Sequence, residues 1–458
     1  MKILLTVHQF FPEYSSGTEV LTLETAKSLQ EKGHDVLVVT GGYAPQPMQD
    51  ADRFDNYIHD NIPVERMMFS PGFIGDSADM TRLEFDNNLF KARFDQIVQD
   101  FQPDIVHFFH LMRLSVTFVD VCKQRGIPTV FTPTDFWFLC PYAQLMLPDH
   151  SPCLGPDARA INCIRHFMHS NRLSPTINAV ADALPDVAFR AGLAVVRRNL
   201  HFRLPIKLAT LGENARSVAA RLPFTLQRLK DIDRLMVPNA MMKETLQRYG
   251  VSTAKMVDQP YGINLAYQHN APRQPAKTFR IGFMGTLSKH KGAHVLINAI
   301  RQFPSDAAIE VKLYGRLTDN PAYVEELRQL IGEDARITLM GGFPNSEIGE
   351  VFAHLDVLVV PSIWHENTPL VVYSAQASGC PVIGSDFGGI NCVVTHGENG
   401  FLFPSGDDQT LGQLLKQLDQ DRALLQKLSD NAKPPLSIAG YTDALQTHYV
   451  EMVQEKPL

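Results

Sequence analysis

The fold is decided by residues 1–40, which read MKILLTVHQFFPEYSSGTEVLTLETAKSLQEKGHDVLVVT. The apolar run Ile3–Val7 predicts a buried strand, and residues 18–30 place apolar side chains at helical spacing. Gly33 then turns the chain into a second apolar run at 36–40. A strand, a helix and another strand in this order predict two parallel strands joined by a right-handed crossover.

The same alternation continues along both halves of the chain. Further strands are predicted at 64–69, 104–109, 128–132, 280–284, 309–314, 336–340, 357–360 and 381–385, and an amphipathic helix is predicted at 83–101. A chain of 458 residues exceeds the size of a single core. We therefore predict an α/β protein with two Rossmann-like, doubly wound parallel-sheet domains that face each other across a cleft.

The domain boundaries follow from composition. A proline-rich stretch with Pro260, Pro272 and Pro275 marks the linker. The predicted units are an N-terminal acceptor domain at 1–258, with a cysteine-containing and basic helical insert at about 140–230, and a C-terminal donor domain at 276–435. Residues 436–458 are expected to form a helix that packs back on the first domain.

Composition excludes several classes of protein. A net charge of -7 argues against a dedicated nucleic-acid binder. Nothing approaches the run of ~20 apolar residues that spans a membrane, and six cysteines in a chain of this length do not make a secreted disulfide scaffold. We expect a cytoplasmic enzyme.

Two loops between a strand and a helix are candidates for binding phosphate. At Phe11–Glu19 a helix opens at Gly17, where backbone amides and the helix dipole favour an anion. At 285–292, Lys291 stands where it can hold a diphosphate as a point charge, with Thr286 in the same loop. The alternatives are an ordinary turn and a solvated loop lysine.

Two further loops complete the set. Residues 361–370 end a strand and start a helix, so that Glu366 can accept hydrogen bonds from sugar hydroxyls. The amides of Asn367, Thr368, Pro369 and Leu370 are expected to face the same space. Helix capping by an acidic residue is the alternative. Residues 384–390 carry adjacent glycines, which tight turning explains by itself.

The order and spacing of these segments resemble glycosyltransferase family 4, whose members are retaining enzymes with the GT-B fold. The resemblance rests on the loops above and on the segments 103–107, 135–141, 233–238 and 260–263, and it covers nearly the whole chain. It implies transfer of a sugar from a nucleotide-diphosphate sugar to a glycan or lipid-linked acceptor. It also implies that the anomeric configuration is retained and that no cofactor is required.

The resemblance also implies roles for individual residues. Lys291 matches the residue that contacts the donor diphosphate, and Glu366 matches the one that contacts the donor sugar. Backbone near Gly342 and Phe343 is expected to contact the base. Asp135 is the candidate that positions the acceptor or acts as a base, and a turn aspartate is the alternative.

Four positions depart from the family pattern. Ser374 replaces the glutamate that contacts the ribose, Thr286 replaces an arginine, and Thr134 replaces a histidine. A common acidic position beside Ile390 is occupied by Asn391 or Cys392. These departures keep a donor-binding homologue with little transfer activity as an alternative. A GT-B nucleotide-sugar epimerase is a second one. A nicotinamide dehydrogenase is disfavoured, because its three-glycine fingerprint is missing.

The insert carries two further features. Four side chains are chemically able to bind zinc: Cys140, Cys153, Cys163 and His166. The alternative is that the cysteines are free thiols packed in the core. Catalysis is not expected to depend on a metal at this place.

Between Arg190 and Arg234, ten Lys or Arg against three Asp or Glu give a local charge of +7. Apolar residues recur there at Val196, Leu200, Leu204 and Leu208. This pattern favours peripheral contact with an anionic membrane at its inner face over a solvated basic surface.

Overall fold

The computed structural model describes residues 1–157, 159–170, 175–198, 206–267 and 276–455. The chain divides into two compact units. Unit 1 comprises Met1–Val237, Thr245–Val257 and Gln446–Leu458, and unit 2 comprises Pro238–Glu244 and Asp258–Leu445. Each unit is built around one β-sheet.

Unit 1 contains an eight-stranded sheet in the order β3-β4-β2-β1-β5-β6-β7-β8. Its strands are β1 (Lys2–Val7), β2 (Asp35–Tyr43), β3 (Phe54–His59), β4 (Ile62–Phe69), β5 (Ile105–Phe108), β6 (Thr129–Phe131), β7 (Arg234–Val237) and β8 (Met256–Asp258). The central strand β1 pairs in parallel with both β2 and β5. The predicted parallel sheet is thus confirmed, apart from β3, which pairs antiparallel with β4 at the edge.

The helices in the first part of the chain are α1 (Gly17–Glu31), α2 (Met80–Leu83), α3 (Asn88–Phe101), α4 (Phe118–Gln124), α5 (Ile161–Ser170), α6 (Pro175–Ala183), α7 (Asp186–Arg198), α8 (Ile206–Asp231) and α9 (Ala240–Arg248). The amphipathic helix predicted at 83–101 is confirmed over 88–101, and its predicted start is wrong. The chain breaks between α2 and α3, because the Asn87 side chain accepts from the Phe90 amide and starts a new helix there.

Unit 2 contains a six-stranded sheet in the order β11-β10-β9-β12-β13-β14. Its strands are β9 (Phe279–Met284), β10 (Ile309–Tyr314), β11 (Ile337–Gly341), β12 (Val357–Val360), β13 (Val382–Ser385) and β14 (Gly400–Phe403), and all of the described pairings are parallel. Its helices are α10 (Ala293–Ile300), α11 (Pro321–Ile331), α12 (Ile348–Ala353), α13 (Leu370–Ala377), α14 (Asp408–Gln420), α15 (Arg422–Asp430) and α16 (Ile438–Gln454), the last of which continues into unit 1.

Strand β12 shows why the apolar runs were readable in the sequence. Val357 and Val359 pack into the core on one face of the sheet. Leu358 and Val360 pack into a second core on the other face. Because helices cover both faces of a parallel sheet, its central strands are continuously apolar instead of alternating.

Both sheets reverse their strand order next to the central strand. In unit 1 the reversal lies between β1 and β5, and in unit 2 it lies between β9 and β12. The loops that leave two such neighbouring strands run in opposite directions and open a crevice at the carboxyl ends, where doubly wound proteins bind ligands. The sites are therefore expected at these two positions.

The C-terminal helix α16 contributes side chains to both units. Within unit 2, Tyr441 packs so closely on Gly262 that a side chain at Gly262 would meet it at 2.5 Å. Within unit 1, the Tyr449 hydroxyl lies 2.5 Å from Nδ1 of His107, and Arg234 pairs with Glu451 at 2.7 Å.

The basic insert is only partly described. Leu200 and Leu204 lie outside the described residues, as do the side chains of Val196 and Leu208. Two arginines counted in its charge are engaged inside the protein, since Arg221 is buried and donates to the Trp137 carbonyl and Arg228 pairs with Asp120 at 2.9 Å. Membrane contact of this insert stays a prediction.

Across the described ranges, no helix has the length and apolar character that crossing a membrane requires.

Candidate functional site

In unit 2, the loops that follow β9 and β12 lie directly against each other. Gly292 has a φ of 76°, and a Cβ there would stand 1.9 Å from the Pro361 carbonyl oxygen. The Ile363 amide donates to the His290 carbonyl at 2.9 Å. Only a glycine allows this approach and this backbone conformation. The contact brings the lysine of one loop next to the glutamate of the other.

Lys291 and Glu366 form an ion pair at the switch point of unit 2. The Nζ atom of Lys291 lies 2.6 Å from Oε1 of Glu366. The same oxygen accepts hydrogen bonds from the Ser362 hydroxyl at 2.7 Å and from the Trp364 indole N–H at 2.8 Å. The lysine ammonium also lies 4.9 Å from the centre of the Trp364 ring. Three donors therefore hold this carboxylate in one orientation.

The environment keeps Glu366 ionised. Burial alone would raise the pKa of this carboxyl group, but the charge of Lys291 and the three hydrogen bonds outweigh burial and hold the pKa below its usual value. Within the part of the chain described, all the hydrogen bonds to the Glu366 side chain end on Oε1, which leaves Oε2 to accept from a ligand. The Lys291 ammonium has three N–H groups, and one of them is used.

Two adjacent glycines, Gly388 and Gly389, pack against the backbone of the loop that carries Glu366. The Gly389 amide donates to the Glu366 carbonyl at 2.6 Å. A Cβ at Gly389 would stand 1.3 Å from the Asn367 carbonyl oxygen, and one at Gly388 would stand 2.8 Å from that of Glu366. Tight turning was the interpretation offered for this pair. The structure shows that close backbone packing under the glutamate loop also requires them.

Asn239 fixes the next residues of the loop. Its amide nitrogen donates to the Asn367 carbonyl at 2.7 Å and lies 2.9 Å from the Thr368 hydroxyl. Asn367 in turn donates to the Tyr261 hydroxyl at 2.7 Å. One expectation needs correction, because Pro369 precedes α13 and has no N–H to offer a ligand. Its fixed φ instead prepares the chain for the helix that begins at Leu370.

The other predicted donor residues lie nearby in the same unit. Ser374 is buried on α13, eight residues beyond Glu366, which lies before the helix begins at Leu370. Thr286 is half-buried in the loop after β9. Phe343, which follows β11, packs edge-on against Tyr314 at 5.4 Å, and Gly342 beside it is exposed. The strands β9, β11 and β12 thus present all of these residues from their carboxyl ends.

In unit 1, three neighbouring strands bring together a histidine–carboxylate cluster formed by His8, Glu19, His110 and Asp135. His8 follows β1, His110 follows β5, and Asp135 follows β6. Nε2 of His110 lies 2.8 Å from Oδ2 of Asp135. The rings of His8 and His110 lie 4.2 Å apart, and Nε2 of His8 is 3.7 Å from Glu19, which is carried by α1.

The hydrogen bonds assign the proton of His110. Its Nδ1 accepts from the Met112 amide at 3.0 Å, so the ring hydrogen is on Nε2 and is donated to Asp135. The second oxygen of Asp135 accepts from the Trp137 amide at 2.8 Å. Asp135 is therefore held by two donors, with one fifth of its side chain exposed. The hydrogen bond from the Trp137 amide is the turn role that the sequence offered as the alternative, and the role toward the acceptor stays a prediction.

Two buried groups of this cluster have strongly altered acidity. Burial, together with the nearby His110 and Arg113, holds the pKa of His8 well below its usual value, so that its ring is neutral. Burial raises the pKa of Glu19. Perturbed titratable groups at a switch point are typical of functional sites. Gly17, predicted to bind phosphate, is exposed at the N-terminus of α1, two residues before Glu19.

Several residues of the site were missed in the sequence. Ser362, Trp364 and Asn239 act through loop conformations that no periodic pattern reveals. His8 and His110 carried a usable signal, because each follows a buried strand directly and polar residues at strand ends mark the ligand edge of a parallel sheet.

Two Rossmann-like units with polar groups gathered at both switch points define the GT-B class of glycosyltransferase folds. The family model described as Glycosyl transferases group 1 matches residues 267–434, and the family model described as Glycosyl transferase 4-like domain matches residues 16–199. The chain belongs to glycosyltransferase family 4.

Solved structures agree with this fold. The chain matches Anabaena Alr3699/HepE in complex with UDP and glucose with a TM-score of 0.62 and 17% identity, over 98% of this chain and 99% of that one. It matches sucrose-phosphate synthase from Thermosynechococcus elongatus with a TM-score of 0.61 and 18% identity, over 99% of this chain and 97% of that one.

Curated relatives are similar over a shorter stretch. The D-inositol 3-phosphate glycosyltransferase of Corynebacterium urealyticum is 33% identical over 164 residues, which cover 33% of this chain and 38% of the relative. That of Corynebacterium diphtheriae is 32% identical over 160 residues, which cover 34% of this chain and 37% of the relative. The match thus spans well under half of these relatives.

Proposed function

We propose that the protein transfers a sugar, with retention of configuration, from a nucleotide-diphosphate sugar to a glycan or lipid-linked acceptor. The observation that carries this proposal is the Lys291–Glu366 pair at the switch point of unit 2. A cation and an ionised carboxylate on adjoining loops match the two ends of such a donor, which is anionic at the diphosphate and rich in hydroxyl groups at the sugar.

In this proposal each residue serves one part of the donor. Lys291 directs its unused N–H groups to the diphosphate and stabilises the charge that develops as the sugar departs. Glu366 accepts hydrogen bonds from sugar hydroxyls through Oε2, while Lys291, Ser362 and Trp364 keep the carboxylate in place through Oε1. Because a cation and backbone amides meet the diphosphate charge, transfer needs no divalent metal ion.

Asp135 serves the acceptor in this proposal. Its carboxylate is held by His110 and by the Trp137 amide and stays partly exposed at the end of β6. That arrangement suits a group that orients an acceptor hydroxyl. The proton of this hydroxyl passes to the departing phosphate oxygen, which lies on the same face of the sugar. No covalent enzyme intermediate is required.

Uridine nucleotides are the first donors to test, since the structure of Anabaena Alr3699/HepE contains UDP and glucose. The inner face of a membrane is the proposed location, because the basic insert and a lipid-linked acceptor both favour it.

The proposal is tested by measuring binding and turnover separately. UDP, GDP and ADP and their glucose derivatives are titrated calorimetrically into the full chain, and release of nucleotide is then followed with glycan and lipid-linked acceptors. Binding of one nucleotide sugar followed by transfer supports an active enzyme. Binding without transfer to any acceptor supports the donor-binding homologue, which Ser374 and Thr286 motivate. Failure of every nucleotide to bind overturns the donor site.

A further inference from the structure

We propose that Cys140, Cys153, Cys163 and His166 bind one structural zinc ion in unit 1. All four side chains line a single pocket. Three thiols and one imidazole are a ligand set that Zn²⁺ takes in tetrahedral structural sites. The site is separate from the Lys291–Glu366 pair and from the histidine–carboxylate cluster, and it has no part in the proposed transfer chemistry.

The chain between the first two cysteines folds back on itself. Met146 and Pro152 form an antiparallel bridge, and the Cys153 amide donates to the Leu145 carbonyl at 2.8 Å. This small loop returns the chain to the place where it left Cys140. Twelve residues lie between the two cysteines in the sequence, and the fold brings both of them to the lining of the pocket.

The other two side chains come from α5. Cys163 and His166 are three residues apart on this helix, so they project from the same face. The His166 ring stacks on Tyr142 at 4.2 Å, which orients it beside the loop that carries Cys140. The Asn162 amide donates to the Gly155 carbonyl at 2.8 Å and ties the helix to the segment that follows Cys153.

A backbone amide is already aimed at one of the sulfur atoms. The Gly155 amide donates to Sγ of Cys153 at 3.4 Å. Hydrogen bonds of this kind favour the thiolate, the form of cysteine that ligates metals, and they are the outer contacts that orient metal ligands.

The loop between Cys140 and Cys153 has an unusual backbone. Ala143 and Leu145 have φ values of 64° and 49°, in the left-handed region that residues with a Cβ rarely adopt. Strain of this kind persists where the surroundings require it and concentrates at functional sites. Packing of free thiols, the alternative interpretation, does not call for an amide turned toward sulfur.

Binding requires one adjustment. Over the residues that the structure describes, no three His, Cys, Asp or Glu side chains stand in metal-binding geometry. All six cysteines of the chain are free thiols, so none of the ligands is consumed by a disulfide. A cysteine side chain has a single heavy-atom torsion, and its rotation moves the sulfur within the pocket without moving the backbone.

The experiment measures metal in the full chain, purified with reduced thiols and without chelator. Elemental analysis is expected to find about one zinc per chain in the wild type. Cobalt(II) taken up in place of zinc is expected to show thiolate charge-transfer and tetrahedral absorption bands. Cys163→Ser and His166→Ala are expected to lose most of the metal. His166→Cys is expected to keep it, since four thiolates also suit zinc.

Cys392→Ser is the matched control, because Cys392 is an exposed free thiol in unit 2. It should keep the full zinc content. If a depleted variant misfolds, release of zinc from the folded wild type by a mercurial thiol reagent gives the same answer without a mutation. Wild-type protein that binds no zinc after reconstitution would overturn the proposal. So would zinc that persists in both Cys163→Ser and His166→Ala, or a disulfide among the three cysteines.

Discussion

The ammonium group of Lys291 lies 2.6 Å from Oε1 of Glu366, although 75 residues separate them in the chain. They meet because β9 and β12 are neighbours in the sheet and Gly292 lets one loop pack on the other. Ser362 and Trp364 donate to the same oxygen. The charged pair is thus assembled by the fold itself, so ligand binding need not pay the entropy of ordering it.

The first prediction concerns this pair. Lys291→Ala removes the cation proposed for the diphosphate, and Glu366→Gln removes the charge proposed for the sugar while keeping the shape of the side chain. Each change should weaken nucleotide-sugar binding by about 1.5–3 kcal/mol, the usual worth of a hydrogen bond to a charged group, which is roughly 10- to 150-fold in Kd. Isothermal titration calorimetry measures the effect.

Lys427→Ala serves as the control for these variants. Lys427 is an exposed lysine on α15 of the same unit, and its loss changes the net charge by the same amount as Lys291→Ala. Its binding should match that of the wild type. If Lys291→Ala and Glu366→Gln both bind the donor normally, the assignment of the donor site is wrong.

The second prediction separates acceptor chemistry from donor binding. Asp135→Asn should lower turnover on the order of 100-fold, the usual cost of misplacing a reacting group by about 1 Å, and leave nucleotide binding unchanged. The reason is that Asp135 belongs to unit 1, whereas the proposed donor residues Lys291 and Glu366 belong to unit 2. Steady-state kinetics and titration are run on the same preparation. Asp60→Asn, an exposed aspartate of unit 1, is the control. Parallel loss of binding and turnover would contradict this division.

The third prediction concerns stability and pH. The pKa of Glu366 is lower in the folded protein than its ordinary value of 4.5. A carboxyl group with a depressed pKa stabilises the fold fully above its unfolded pKa, and this stabilisation is lost as the pH falls through the folded value. The wild type should therefore exceed Glu366→Gln in free energy of unfolding at pH 7, and the difference should shrink below pH 4.5.

Urea denaturation of both proteins at a series of pH values tests this relation. The comparison isolates Glu366, because all other titrating groups are shared by the two proteins. A difference that stays constant or grows as the solution is acidified would show that the carboxylate is not held in its charged form.

Much of the fold was predictable for a simple physical reason. Strands such as β12 are buried on both faces, so each one is a continuous apolar run whose first and last residues can be recognised in the sequence. The edge strand β3 was missed, because exposed polar residues such as Asp55 and Asn56 interrupt its pattern. β14 was missed because it starts with Gly400, and a glycine weakens the strand pattern.

The candidate site was predictable where a residue lies in the loop between a strand and the next helix, as Lys291 and Glu366 do. The side chains that contact those residues could not be predicted from the sequence. Trp364 reaches Glu366 only because the loop folds back within two residues. Likewise, His110 meets Asp135 through the pairing of β5 with β6, a contact between segments whose sequence spacing carries no signal.

The last prediction tests the position where this chain departs most from its family. Ser374 lies eight residues after Glu366 and is buried on α13, where the resemblance places a glutamate that contacts the ribose. Ser374→Glu should tighten nucleotide-sugar binding by about 1–2 kcal/mol, since a hydrogen bond to a charged acceptor is stronger than one to a hydroxyl. That gain is roughly five- to thirtyfold in Kd. Ser374→Gln is the matched control, because it has the same length without the charge and should gain less. If both variants weaken binding to the same extent, the added volume alone explains the loss. In that case the pocket around Ser374 has been remodelled and no longer holds the ribose in the family manner.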